Sequence, residues 1–305
     1  MSCSTCHDRA KAFTDGLPTS EGINKLKGTR NAPTVVNAVY FHRQFWDGRE
    51  AAFESQSGQP FLNPVEMRLP NHELIMKIVR TDPEYQDQFQ KAFGRTGNQI
   101  TIDHVKKAIA SFERTVVMGD SPFDRYRYGG DKTAMTPAAI RGLEIFVGQG
   151  PCVSCHVIEQ TQALFTNHRF HNIGVAAHHM PKDLDELQAA VEDVKAKGTD
   201  VAVLSNPKTE SLGRYAVTRE LKDIGAFKTS GLRNIAVTGP YMHDGSVKTL
   251  EEVVQFYNNG GRLKDTDPVP ELPSGGIRPL NLSKEQEADL VEFLKALTTP
   301  EYATK

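Results

Sequence analysis

Apolar positions along the chain recur mostly at helical spacing, and many of the segments have recognisable ends. Asp82-Pro83 opens an amphipathic run that Gly94 closes, since proline suits the first helical turn and glycine the left-handed cap. Thr101 to Met118 is predicted as a longer helix, with Ile102, Val105, Ile109, Phe112 and Val116 on one stripe and Gly119 as its stop. Thr136-Pro137 starts another, running through Ile140, Leu143 and Phe146 to Gly148. Thr249 with Glu252, and Ser283 with Gln286, form capping boxes that open two more. The mixed-charge segment 182–197 is expected to be a solvated helix. Alternating strand patterns are scarce, so the predicted fold is mainly α.

The segment Ser121-Pro-Phe-Asp-Arg-Tyr-Arg-Tyr-Gly-Gly-Asp131 has the composition of a linker, which divides the chain into units at 1–125 and 126–305. A length of 305 residues suits two domains, each able to bury a core. The final helix is a candidate to pack back on the first unit. A faint pattern repeats in the two halves: Gly28-Thr-Arg-Asn31 and later Trp46-Asp-Gly48, then Gly231-Leu-Arg-Asn234 and later His243-Asp-Gly245. The spacings differ, which implies inserted loops.

Composition excludes some functions. With 38% hydrophobic residues and no long apolar run, no membrane insertion is expected. A formal charge of −2 offers no basic face for nucleic acid.

The four cysteines form two pairs, Cys3 with Cys6 and Cys152 with Cys155, each followed by a histidine, His7 and His156. A disulfide framework does not suit so large a chain. Structural zinc pairs usually lie about 15–20 residues apart and need no such histidine. Thioredoxin-like chemistry would need a βαβ setting. C-x-x-C-H is the attachment signal for c-type haem, and two copies that use every cysteine point to two covalently bound haem c groups. Such attachment takes place outside the cytoplasm in bacteria, so a periplasmic location is expected. The first motif follows Met1 almost directly, so a leader is expected to have been trimmed.

Cys3-Ser-Thr-Cys-His7, Arg30-Asn-Ala-Pro-Thr-Val-Val-Asn37, Gln44-Phe-Trp-Asp-Gly-Arg49, Asn63-Pro-Val-Glu-Met67 and Pro240-Tyr-Met-His-Asp-Gly245 resemble the bacterial dihaem cytochrome c peroxidase family. The MauG-type dihaem oxidases share its superfamily. The resemblance implies two cytochrome c-like haem domains, hydrogen peroxide reacting at the N-terminal haem, and a C-terminal haem with two protein ligands that moves electrons. It implies Glu66 as the catalytic proton carrier with Gln56 beside it, and Trp46 as an electron relay between the haems. His7 and His156 would be the proximal ligands. Many members block the peroxide site with a second histidine. That position falls at Ile23, which cannot ligate iron, and His42 is not at the family's ligand position. The first haem is therefore expected to be five-coordinate at rest.

For the second haem, the usual methionine position falls on Tyr257, as in MauG-type proteins. Helix periodicity independently places Leu250, Val253, Val254 and Tyr257 on one face. Tyrosinate would favour the oxidised metal. Met242 is the alternative ligand. The resemblance also implies one calcium ion, held by Asn31 and the backbone carbonyls of Thr238 and Pro240; by itself the sequence supports only a turn asparagine there. The histidines at 168, 171, 178 and 179 are irregularly spaced and suit a loop near the second haem better than a metal site.

Three functions compete: a peroxidase fed by a small cytochrome c or cupredoxin, an oxidase modifying a side chain such as tryptophan of a partner protein, and a plain dihaem electron-transfer cytochrome. The oligomeric state is left open.

Overall fold

The computed structural model describes residues 1–262, 274 and 276–303. Among them the chain is mainly helical. The first half holds α1 (Phe53–Gln56), α2 (Gln59–Leu62), α3 (Glu73–Thr81), α4 (Pro83–Phe93) and α5 (Ile102–Glu113). Next come α6 (Pro122–Arg127), α7 (Pro137–Val147), α8 (Leu184–Lys197), α9 (Thr199–Ser205), α10 (Pro207–Ser211), α11 (Tyr215–Thr218), α12 (Leu250–Asn258) and α13 (Lys284–Lys295). The sheet is small: β1 (Phe170–His171) pairs antiparallel with β2 (Phe227–Lys228), placing Phe170 opposite Lys228. No helix among the described residues is long and apolar enough to cross a membrane.

The expected caps form. The Asp82 carboxylate accepts from the Glu84 and Tyr85 amides, and Gly94 ends α4 in the left-handed region. Both capping boxes close, at Thr249 with Glu252 and at Ser283 with Gln286. The helix expected over 101–118, however, stops at Glu113. Thr115, Val116 and Val117 are consecutive β-branched residues, which lose rotamer freedom in a helix, and Asn37 offers their backbone another partner: its amide donates to Val116 O at 2.9 Å. Phe112, expected on the buried stripe, is 57% exposed.

The stretch 121–131 is not a linker. Ser121 caps α6 through a box with Asp124, and Phe123 is fully buried against Phe165 and Phe293. The segment belongs to the main core of the second half, whose centre is the α7–α13 pair. Gly142 makes their close approach possible, because a Cβ there would lie 2.0 Å from Asp289 O. Arg141 and Asp289 clasp the pair with two bonds of 2.7 and 2.6 Å. The final helix thus packs on its own half. Residues after it reach the first: the Tyr302 hydroxyl donates to Arg9 O at 2.9 Å. Segment 182–197 is a helix as expected but not wholly solvated. Ala190 and Val194 are buried in a cluster with Ala202, Val203 and Leu204 of α9.

The internal repeat is real, but its register differs from the expected one. Asn234 corresponds to Asn37, not Asn31. Both take a left-handed backbone and open a 3-10 turn, at Ala38–Tyr40 and Ile235–Val237. At equal spacing after them come matching bridged turns, Gln44 with Glu50 and Tyr241 with Val247. No loop was inserted between these two landmarks. Trp46 and His243 therefore hold the same place in the two halves.

Candidate active site

Each C-x-x-C-H motif folds as a 3-10 turn, Cys3–Thr5 and Cys152–Ser154. None of the four cysteines is in a disulfide. His7 Nδ1 lies 3.1 Å from Phe13 O and His156 Nδ1 2.8 Å from Phe165 O. A carbonyl at Nδ1 selects the tautomer with its lone pair on Nε2, the form that could coordinate a metal. Burial pushes both imidazoles below their ordinary range. Among the described residues no three His, Cys, Asp or Glu side chains converge on one point, so the cysteine pairs do not make a zinc cluster and the histidines at 168, 171, 178 and 179 do not gather. Paired free thiols with an oriented imidazole at each motif fit covalently held haem.

A large cavity opens beside the second motif. His156, Cys152, Cys155, Tyr257 and Met242 all line it, as do Trp46, Asn31, Thr238 and Pro240. Burial raises the Cys152 thiol to about 12 and pushes the Tyr257 phenol well above its ordinary range. Both candidate ligands of the second haem thus face the same space as His156. The Trp46 indole donates to Asn31 O at 2.9 Å within its own half, and the Trp46 backbone carbonyl accepts from the Lys228 amide of the second half at 2.8 Å. The Asn31 amide in turn donates to His243 O at 2.8 Å. Gly239-Pro240 is a cis peptide.

Near the first motif, Glu66 is half-buried, and its Oε2 is buried without a hydrogen-bond partner. Its carboxyl is raised to about 7, chiefly by burial and then by Asp200, against an opposing pull from Arg49. Ile23 lies in a 3-10 turn and its amide donates to Glu66 O at 2.7 Å. Gln56 ends α1, half-buried, and makes no hydrogen bond to Glu66. His42 is exposed and stacks on His168 with ring centroids 3.9 Å apart.

Sequence reasoning missed a buried chain of charges that joins the two sides. His243 Nε2 approaches Glu210 Oε1 at 3.2 Å, and Arg30 Nε lies 3.4 Å from the same oxygen. Arg30 also pairs with Asp47 at 2.6 Å, Asp47 with Arg49 at 3.2 Å, and Arg49 with Asp200 at 2.6 Å. Burial alone would raise Asp47, but Arg49 and Arg30 hold it down at about 2. The available signal was the charged pair in Trp46-Asp-Gly-Arg49, where two ionic residues sit inside an otherwise structural string. A second missed group is Glu113, a carboxyl that burial raises to about 7 and whose charge acts on Cys3.

A family model for di-haem cytochrome c peroxidase matches residues 1–133. A cytochrome-c peroxidase of Denitromonas iodatirespirans is 35% identical, over 98% of this chain and 76% of its own. The methylamine utilization protein MauG of Methylorubrum extorquens is 33% identical, over 97% and 72%. Among solved structures, a MauG-like protein associated with microbial copper homeostasis superposes with a TM-score of 0.80 at 31% identity, over 100% of this chain and 85% of that one.

Proposed function

Because this chain belongs to the dihaem cytochrome c peroxidase family of oxidoreductases, we propose that it reduces hydrogen peroxide at the first motif with electrons entering through the second. Each half would be a cytochrome c-like unit in the bacterial periplasm, with α6 and its buried Phe123 counted in the second. Cys3, Cys6 and His7 would hold one haem c, and Cys152, Cys155 and His156 the other. The bound haems supply the redox chemistry with peroxide.

The rest falls to the chain. Glu66 would accept a proton from one peroxide oxygen and return it to the other, while two electrons and two further protons complete the reduction of the peroxide to two waters. Its elevated acidity range near 7 suits both acceptance and return. Gln56 is the candidate neighbour that orients the oxidant. Ile23 leaves the peroxide side free of a blocking histidine, and its turn is tied to Glu66 by the backbone. Trp46, bonded to both halves, is the candidate electron relay. Tyr257 is the preferred second ligand of the second haem over Met242. One calcium ion at Asn31, Thr238 O and Pro240 O would brace the seam between halves, its oxygen donors suiting a hard cation. A chelator should then lower the melting temperature, and added calcium should restore it.

The observation that carries this reading is Glu66, a half-buried residue beside the first motif whose Oε2 is buried without a hydrogen-bond partner. The test is stopped-flow mixing of the fully oxidised holoprotein with peroxide. Rapid spectral change supports it, and inertness would leave a plain electron-transfer cytochrome. A second reading, a MauG-type oxidase acting on a partner protein's side chain, is favoured by Tyr257 in the cavity. Steady turnover with a reduced small cytochrome c or cupredoxin favours the peroxidase over that reading.

A further inference from the structure

We infer that Asp200, carried by the second half, is a positioning residue for Glu66: it grips Asn63 and Arg49 and so fixes where the Glu66 carboxyl stands. The inference rests on the proton-carrying role proposed for Glu66.

Asn63 is 1% exposed. Its Nδ2 donates to Asp200 Oδ2 at 2.5 Å, and its Oδ1 accepts from the Val65 amide at 3.1 Å. Asn63 O then accepts the Glu66 amide at 3.1 Å and the Arg68 amide at 2.9 Å. The turn that presents Glu66 is therefore built around Asn63, and the Asn63 side chain is held from across the seam. The other Asp200 oxygen, Oδ1, accepts from Arg49 Nη2 at 2.6 Å and Nε at 3.0 Å. Both carboxylate oxygens are thus committed, one to the turn and one to Arg49, the cation whose charge acts on Glu66.

Asp200 is well anchored for this task. Its helix α9 is packed against the first half, where Val203 O accepts the Thr29 hydroxyl at 2.5 Å and Val65 lies on the same apolar cluster. On its other side the Glu66 turn meets Gly22, where a Cβ would fall 1.8 Å from Val65 O, so the turn has little room to drift. The charged and titratable groups acting on or near Glu66 are Asp200, Arg49, Cys3 and Cys6. The two thiols become uncharged thioethers once haem is attached, which leaves Asp200 and Arg49 as the opposed pair. A helix of one half thereby governs proton transfer in the other.

The test compares Asp200→Ala, Asp200→Asn and Asp200→Glu holoproteins, with Glu66→Gln as reference. One readout is the rate of reaction with peroxide against pH. The other is the infrared C=O band of protonated Glu66, identified by its loss in Glu66→Gln. Asp200→Ala should slow the peroxide reaction by on the order of 10- to 100-fold, as expected when a reacting group shifts by about an ångström. Asp200→Asn keeps an oxygen for Asn63 but removes the negative charge, so the infrared midpoint should move to lower pH. Asp200→Glu should bring it back up. Wild-type rate and midpoint in Asp200→Ala would overturn the inference. Should that variant fail to accumulate, an unshifted midpoint in Asp200→Asn overturns it equally. If Glu66→Gln itself reacts at the wild-type rate, the role of Glu66 has failed and the inference falls with it. A slow Glu66→Gln beside a fast Asp200→Ala rejects the positioning alone.

Discussion

Asn37 and Asn234 hold the same station in the two halves, each in the left-handed region (φ 59° and 61°) and each gripping the chain as it leaves a long helix. Asn37 spans Met118 with two bonds, Nδ2 to its carbonyl and Oδ1 from its amide, both 2.9 Å. Asn234 accepts from the Thr299 amide at 2.8 Å and donates its own amide to Leu297 O at 3.1 Å. Helices α5 and α13 are thereby counterparts. The two grips meet at Met118, whose sulfur lies 3.8 Å from Asn234 Nδ2.

Replacing either asparagine by alanine should therefore weaken its own half. The change strands buried backbone groups, at about 1–3 kcal/mol, and puts a Cβ-bearing residue without a local hydrogen bond at positive φ, at about 1–2 kcal/mol. Urea unfolding of the holoproteins checks this. Asn→Gly should recover the conformational part only, and a loss within experimental error in the alanine variants would refute the shared role.

Gly142→Ala tests the α7–α13 crossing. The methyl would meet the Asp289 carbonyl, a backbone atom that cannot swing aside, so the helices must part. Overpacking of this kind costs about 1–3 kcal/mol. Thermal unfolding should show the loss. An unchanged melting temperature would mean that the pair tolerates a wider separation.

These elements show what the sequence could and could not reveal. Capping residues act within a few positions, so α4, α7, α12 and α13 were legible from Asp82, Thr136, Thr249 and Ser283 alone. The haem motifs were equally local. The end of α5 was not, because the competing partner of the chain at 115–118 is Asn37, far away in sequence. The repeat was seen but misaligned: Arg-Asn occurs at both Arg30-Asn31 and Arg233-Asn234, and only backbone conformation identifies Asn37 as the partner of Asn234. The charge chain from His243 to Asp200 draws on five separate segments. No single stretch of sequence encodes it, and Glu210 in particular lies in a helix with nothing local to mark it as buried.

Tyr257 and Met242 both line the cavity that His156 lines, so substitution must choose between them. With tyrosine as ligand, Tyr257→Phe should alter the electron paramagnetic resonance of the second haem in the oxidised protein, and Met242→Leu should leave it unaltered. Tyr257→Met should raise that haem's potential by roughly a tenth of a volt or more, a modest part of the ~0.8 V range that axial ligands span. The opposite pattern would assign Met242.

Glu66 links activity and stability through one proton. Its carboxyl titrates at about 7 in the fold against 4.5 ordinarily, mainly because it is buried. If the ionised form accepts the peroxide proton, the peroxide reaction should be level above pH 7 and fall about tenfold for each pH step below it. Glu66→Gln should lower the rate by about 10²–10⁴-fold and abolish that step. The sign for stability is opposite. The fold binds this proton more tightly than the unfolded chain does, so the stabilisation is present below about pH 4.5 and is lost as pH rises through 7, a total of about 3 kcal/mol. Relative to the wild type, Glu66→Gln should therefore gain melting temperature on going from pH 4.5 to pH 8. A difference between the two proteins that stays constant with pH would show that Glu66 is ionised at no unusual cost, and the carboxyl would no longer qualify as the proton carrier.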